Sequence, residues 1–184
     1  MTAPMNPSIT RRFLTSCVAA VLLAFPASAF AAEAKGKSVI PDFTQGDAIP
    51  AGGKHDWNLG PTGLRGWMFC DRMVTTDARQ ISVTQVDKGS PADGLLAVGD
   101  VILGVGGKRF SYDPRTEFGR AITVAESEVG GGKLAVTRWR AGSVEEVVVK
   151  LPVLGSYSAT APYDCPKSKR ILEQGCRALA ARRT

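Results

Sequence analysis

The chain has little of what catalytic centres need. It contains a single histidine, His55, and neither a G-x-S-x-G nucleophile elbow nor an H-E-x-x-H zinc motif. A Ser-His-Asp set or a histidine-rich metal site would therefore depend on His55, which lies in a polar run before the first predicted strand. The sequence accordingly predicts no enzyme active site, no metal site and no cofactor.

Phosphate-binding motifs are lacking as well. A P-loop requires G-x-x-x-x-G-K followed by Ser or Thr, but Gly106-Gly107-Lys108 continues with Arg109. Neither residues 60–66 nor residues 104–107 supply G-x-G-x-x-G between a strand and a helix. The sequence therefore argues against a nucleotide site.

The globular part of the chain carries no basic stripe. The formal net charge of the 184 residues is +6, but residues 1–31 contribute +2 and residues 166–184 contribute +5. The remaining body, residues 32–165, has a net charge of −1. Nucleic-acid-binding domains show clustered Lys and Arg on one face, so no nucleic-acid partner is predicted.

One long apolar run occurs, and it lies at the N-terminus. Arg11-Arg12 precede about 13 apolar or small residues, and small residues follow up to Ala31. This layout is typical of a secretory signal peptide with cleavage near Ala31, and the run is too short to span a bilayer. We expect an exported protein, periplasmic or extracellular, without a stable membrane anchor after cleavage.

Cleavage leaves three cysteines, Cys70, Cys165 and Cys176. The odd number and the spacing define no disulfide framework. In one continuous helix Cys165 and Cys176 would lie about 16 Å apart, because each residue rises 1.5 Å. A disulfide requires Cα atoms within about 7 Å, so no bridge between them is expected unless Gly175 breaks the helix.

The order of predicted elements divides the mature chain into a linker or arm (32–55), a domain (56–152) and a basic tail (153–184) with a helix over 166–182. Alternating apolar residues and turn signals predict an antiparallel, partly open sheet of five to six strands with one main helix and one short helix, an α+β fold. The predicted strands are 66–73, 79–86, 99–105, 133–140 and 145–152, the main helix is 114–129, and the short helical turn lies within 88–94.

Residues 60–67, Gly-Pro-Thr-Gly-Leu-Arg-Gly-Trp, combine three glycines with a cation. Loops of this composition turn backbone N–H groups inward and form concavities that bind anions. Because the nucleotide motifs are absent, two interpretations of this loop stay open at this point: it binds a peptide carboxylate, or it binds no anion at all.

Residues 87–110 carry a recognisable series of motifs. Gly89-Ser90-Pro91-Ala92 is followed by Gly99-Asp100-Val101-Ile102 and then by a Gly107-Lys108 hairpin. This order closely resembles a bacterial PDZ domain of the type attached to HtrA-like and tail-specific proteases. The resemblance covers residues 60–152 and implies a PDZ-like barrel or sandwich without a protease domain.

The resemblance also implies a function and a site. PDZ domains bind extended peptides or protein C-termini by adding a strand to a sheet edge. By position, the carboxylate loop and edge strand would be Gly63, Leu64, Arg65, Gly66, Trp67 and Met68, with Arg65 as the cation and Leu64 and Trp67 lining the side-chain pocket. Phe118 and Ile122 would line the facing wall on the helix.

Three alternatives stay open. The first is a purely structural domain whose groove is closed by Phe69, by the arm or by the tail. Phe69 is considered because it stands where the HtrA-type loop pattern has its second glycine. Phe118 and Ile122 also fit a buried helix stripe that belongs to the core. The chain as a whole is also compatible with a regulatory or scaffold segment of a larger exported protein or protease system.

Overall fold

A computed structural model describes residues 39–53 and 55–182; the predicted signal peptide 1–31 lies outside this part of the chain. Within it the chain forms seven strands and two α-helices. The strands are β1 (Trp57–Asn58), β2 (Leu64–Trp67), β3 (Ile81–Val86), β4 (Val101–Val105), β5 (Lys108–Arg109), β6 (Lys133–Arg140) and β7 (Ser143–Lys150). The helices are α1 (Pro114–Ala125) and α2 (Pro166–Ala181).

The strands of the described residues form one antiparallel sheet in the order β1-β2-β3-β4-β6-β7, and β5 pairs with β4. The sheet does not close on itself, and the predicted α+β class is confirmed. The expected five to six strands become seven because β1 and β5 have only two residues each. Such short segments carry too little alternation for a sequence pattern to predict them.

The strands predicted at 79–86, 99–105 and 133–140 are present as β3, β4 and β6. The final hairpin is tighter than predicted, because Arg140 pairs directly with Ser143 across a two-residue turn. Both turn residues, Ala141 and Gly142, have positive φ, as a type I′ hairpin turn requires. Strand β7 consequently begins at Ser143 and ends at Lys150, two residues earlier at each end than predicted.

The first predicted strand, 66–73, is wrong in its bounds. Strand β2 begins at Leu64 and ends at Trp67, and the chain then reverses in a tight turn closed by two hydrogen bonds between Asp71 and Val74, both 2.9 Å. Arg72 and Met73 inside that turn have φ values of 48° and 69°. This left-handed backbone cannot continue a strand.

The short helix expected within 88–94 does not form. Residues 87–96 instead make successive turns, in which Ser90 N–H donates to Asp87 and Asp93 N–H donates to Ser90. Gly94 has a φ of 77°, which interrupts the right-handed winding before a helix can propagate. The second α-helix of the described residues is therefore α2.

Helix α1 is shorter than predicted at its C-terminal end. Asp113 caps its N-terminus by accepting from Arg115 N–H at 2.9 Å, as the Asp-Pro signal indicates. The helix ends at Ala125 and not at Val129, which is 98% exposed. Gly132 N–H donates to the Ala125 carbonyl at 2.7 Å, so the chain folds back over the last helical turn.

The main core lies between the sheet and α1. Phe118, which is 2% exposed, and Ala125 face it from the helix. Its other members are apolar residues of the strands and of the segments that follow β2 and β3, including Leu64, Met68, Ile81, Val83, Ile102, Leu134, Val136 and Val149. Burial of these apolar side chains stabilises the domain, at about 25 cal/mol per Å² of apolar surface removed from water.

A second, smaller cluster shows that the arm packs against the sheet. Phe43 meets Trp67 edge to face, with ring centroids 5.7 Å apart, and joins Val101 and Leu103. The N–H of Phe43 donates to Gln80 Oε1 at 2.8 Å. The described part of the predicted linker is therefore a docked segment.

The tail helix α2 runs continuously through Gly175, as predicted. Its first turn is held by a buried ion pair between Lys167 and Glu126, whose side chains are 3% and 7% exposed. The Glu126 carbonyl also accepts from Leu154 N–H and Gly155 N–H at 3.0 and 2.9 Å. Glu126 thus joins the end of α1, the segment after β7 and the start of α2.

Acid should destabilise this fold through Asp100. Burial acts to raise the pKa of Asp100, but two hydrogen bonds from Arg140, at 2.6 and 2.7 Å, and one from Ala97 N–H outweigh it and lower the pKa. Because the pKa of Asp100 is lower in the folded state than in the unfolded chain, the ionised carboxylate stabilises the fold above about pH 4. This contribution is lost as the pH falls through the folded-state pKa. We expect urea midpoints to stay level from pH 7 to pH 5 and to fall below pH 4.

The matched variant is Asp100→Asn, which should cost about 1–3 kcal/mol at pH 7. Because Asn does not titrate, the midpoint of this variant should fall less steeply between pH 4 and pH 2. Equal slopes for the variant and the wild-type protein would assign the acid sensitivity to other carboxylates.

Candidate functional site

The 60–63 turn is a compact hairpin connection between β1 and β2. Gly60 N–H donates to Asn58 Oδ1 at 2.7 Å, and Gly63 N–H donates to the Gly60 carbonyl at 3.4 Å. Leu64 N–H reaches Thr62 Oγ1 at 3.3 Å. These three amides are satisfied within the turn, so they do not point into an open anion cradle.

Arg65 faces a carboxylate of its own chain. Its guanidinium donates to Asp56 Oδ1 from Nε at 2.9 Å and from Nη2 at 2.5 Å, and to the Asp56 carbonyl at 3.2 Å. Asp56 also accepts from Thr84 Oγ1 at 2.8 Å. The hydrogen bond from Arg65 is the main cause that lowers the pKa of Asp56. Arg65 therefore ties β2 to the residue that precedes β1.

Strand β2 lies inside the sheet and not at its edge. Trp57 pairs with Gly66 and Asn58 pairs with Arg65 on one side, while β3 pairs on the other. The predicted edge strand beginning at Gly66 is therefore wrong. A Cβ on Gly66 would lie 2.4 Å from Ile81 Cγ2, so this glycine permits close packing onto β3.

The other predicted β2 residues belong to the interior. Leu64 and Met68 are buried in the main core, and Trp67 is buried against Phe43. Phe69 packs against both clusters. Strand β1 covers the outer side of β2, and the sequence pattern does not predict this strand.

A groove does lie next to the sheet edge, between β1 and α1. Its volume is about 270 Å³. Leu59 and Phe118 are its buried lining residues, and Ile122 is half-buried. The complete lining is Trp57, Asn58, Leu59 and Gly60 from β1 and the turn, and Arg115, Phe118, Gly119 and Ile122 from α1. The structure thus brings Phe118 and Ile122 to one groove. The other six predicted site residues do not line it: Gly63, Leu64, Arg65, Gly66, Trp67 and Met68.

Gly119 is the open position of the helical wall. It lies in the middle of α1, and a Cβ built there meets no atom within 4 Å. A glycine inside a helix costs about 1 kcal/mol relative to alanine. Packing gives no reason for the glycine, whereas a side chain here would project into the groove.

Arg115 supplies the charge of the groove. Its guanidinium carbon lies 4.6 Å from the centre of the Trp57 ring, and Nη2 is 3.2 Å from Asp113 Oδ2. Asp113 also accepts from Thr75 Oγ1 at 2.7 Å. Burial acts to raise the pKa of Asp113, but the bonds from Thr75 and Arg115 outweigh it and lower the pKa. Arg115 is therefore held in place over the aromatic ring.

A second groove of about 480 Å³ continues from the first toward α2. The two share Gly60, Gly119 and Ile122. On the far side Ile171 and Gln174 of α2 line it, next to the buried Lys167. Helix α2 thus borders the second groove, which adjoins the first at these shared residues.

A cavity of about 780 Å³ lies at the start of α2 and includes Cys165. A hydrogen bond from the Ser168 side chain and one from Ser158 N–H, at 3.4 Å, lower the pKa of the Cys165 thiol to about 6. Cys70, Cys165 and Cys176 are all free thiols.

The chain matches no protein-family model, and no curated protein matches it. Of the helices within the described residues, none combines the length and the apolar character needed to cross a bilayer.

Six of the eight groove residues are not among the predicted site residues: Trp57, Asn58, Leu59, Gly60, Arg115 and Gly119. Asn58 and Gly60 belong to a strand and turn too short to show a period, and Arg115 was one of several charged residues on an amphipathic helix. Gly119 could have been noticed in the sequence, because a glycine inside a predicted helix is destabilising and indicates a packing or functional requirement at that position.

Proposed function

We propose that residues 56–152 form a PDZ-type module of an exported, non-catalytic protein that binds extended peptides by strand addition. The observation that carries the proposal is the groove between the terminal strand β1 and helix α1. A sheet edge that faces a helix across an apolar groove is the arrangement that strand addition uses. The motifs of residues 87–110 support the same family.

In this proposal the peptide pairs with β1 and not with β2. Its side chains enter the groove against Ile122 and Gly119, and its carboxylate meets Arg115, in place of the predicted Arg65. A guanidinium has five N–H donors, so Arg115 has donors left for a second carboxylate beside Asp113.

Filling the groove at Gly119 tests the proposal. We expect Gly119→Leu to lower peptide affinity about tenfold or more, which is 1.4 kcal/mol, while leaving the fold intact or stabilising it by up to about 1 kcal/mol. Arg120→Leu is the control, because Arg120 is exposed on the same helix and does not line the groove. Fluorescence anisotropy with a library of free-carboxylate peptides measures the affinities.

The same library identifies the carboxylate contact. Amidated peptides and the Arg115→Gln variant should both lose affinity, whereas Arg65→Gln should change it less than about twofold, because Arg65 contacts Asp56. Unchanged binding by Gly119→Leu would exclude this groove as the peptide site.

A structural role is the second candidate, and the position of β1 favours it. β1 occupies the side of β2 that the family resemblance assigned to a peptide. The absence of any binder in the library, for free and amidated peptides alike, would support this candidate over the peptide-binding module.

A further inference from the structure

A separate cavity of about 340 Å³ collects the soft donor side chains of the arm and of the segment after β2. His55, Met68, Cys70 and Met73 all line it. Cys70 is a free thiol. Met68 is 1% exposed, whereas Met73 is 65% exposed at the rim. One imidazole, one thiol and two thioethers therefore border the same space.

We propose that this cavity is a Cu(I) site formed by His55 nitrogen, the sulfurs of Met68 and Met73, and the thiolate of Cys70. Thiolate and thioether ligands select Cu(I), and imidazole also suits copper. Structural zinc sites draw on Cys, His and carboxylates, and within the described residues no three such side chains come together. The two methionines therefore decide the choice of metal.

Binding involves no change of oxidation state. Cu(I) forms a bond to Cys70 sulfur as the thiol proton leaves to solvent, and the thiolate charge balances the charge of the ion. No oxidant or reductant is needed.

The backbone turn that presents Met73 supports the proposal. Arg72 and Met73 both adopt positive φ, a conformation that costs non-glycine residues about 1–3 kcal/mol each. This turn brings Met73 back to the cavity that Cys70 lines. Arg72 also lines the cavity, but its side chain is 90% exposed and its guanidinium lies 3.9 Å from the Asp71 carboxylate, which offsets its charge.

The test is an anaerobic titration of the full chain with Cu(I) against a competing chelator. Trp57 and Trp67 line the cavity, so one equivalent of bound Cu(I) should quench tryptophan fluorescence and release one proton. Removing a residue that hydrogen-bonds to a metal ligand lowers metal affinity about 10–100-fold, and removing a ligand itself should lower it at least as much. We therefore expect Cys70→Ala, Met73→Leu and His55→Gln each to lower Cu(I) affinity at least about tenfold.

Cys176→Ala is the matched control, since Cys176 is an exposed free thiol elsewhere on the chain. It should leave the affinity and the quenching unchanged. Met73 is mostly exposed, so Met73→Leu should retain the wild-type melting temperature. Wild-type affinity in both Cys70→Ala and Met73→Leu would overturn the proposal, and so would an affinity that depends on Cys176.

Discussion

Lys167→Met is expected to destabilise the domain by about 3–5 kcal/mol, the cost of leaving one partner of a buried ion pair alone. The substitution keeps most of the side-chain volume but leaves the Glu126 carboxylate, 7% exposed, without its cation. It also removes the ammonium that lies 4.5 Å from the Tyr157 ring. Urea unfolding followed by circular dichroism measures the loss, and hydrogen exchange over 166–181 reports whether α2 separates first.

The chain contains a matched control two residues away. Lys169 forms an exposed pair with Glu173 at 4.0 Å on the same helix, and Lys169→Met should cost less than about 0.5 kcal/mol. Replacing both buried partners, as Lys167→Met with Glu126→Leu, should recover most of the loss. Equal losses for Lys167→Met and Lys169→Met would contradict the assignment of a buried, coupled pair.

Phe118→Ala should cost about 3–5 kcal/mol of unfolding free energy, since it opens a cavity in the main core. Ile122→Ala should cost less than about 2 kcal/mol because Ile122 is only half-buried. Ile122 lines both grooves, so its truncation should instead weaken peptide binding. Chemical denaturation and peptide anisotropy on both variants separate the two roles.

We expect Phe118→Ala to lower mainly the stability and Ile122→Ala to lower mainly the peptide affinity, and a shared role for the two residues would not give this difference. If Phe118→Ala unfolds too far for binding to be measured, Phe118→Leu keeps more of the core volume and should bind peptide with an affinity close to wild type. A larger stability loss for Ile122→Ala than for Phe118→Ala would reverse the assignment.

Much of the architecture could be predicted because its signals are local. Alternating apolar residues predict β3 and β4, and the Asp113-Pro114 start and apolar spacing predict α1. The N-terminal Pro166 and the apolar stripe predict α2. In each case the residues that decide the element lie within one or two turns of it.

Other features could not be predicted because they depend on distant partners. Strand β1 has two residues and exists only because β2 pairs with it. The end of α1 is set by the chain folding back through Gly132. The buried position of Lys167 depends on Glu126, 41 residues away, and an isolated lysine in a basic tail is otherwise expected in solvent.

By itself the sequence determined the α+β class, the order of the longer strands and both helices, because hydrophobic period and turn chemistry act over a few residues. Only the tertiary structure decided which side of β2 is covered, which carboxylate Arg65 contacts, and that Arg115 is the cation of the groove. Those outcomes depend on contacts that β1, Asp56 and α1 make with parts of the chain distant in sequence, so no local sequence pattern predicts them.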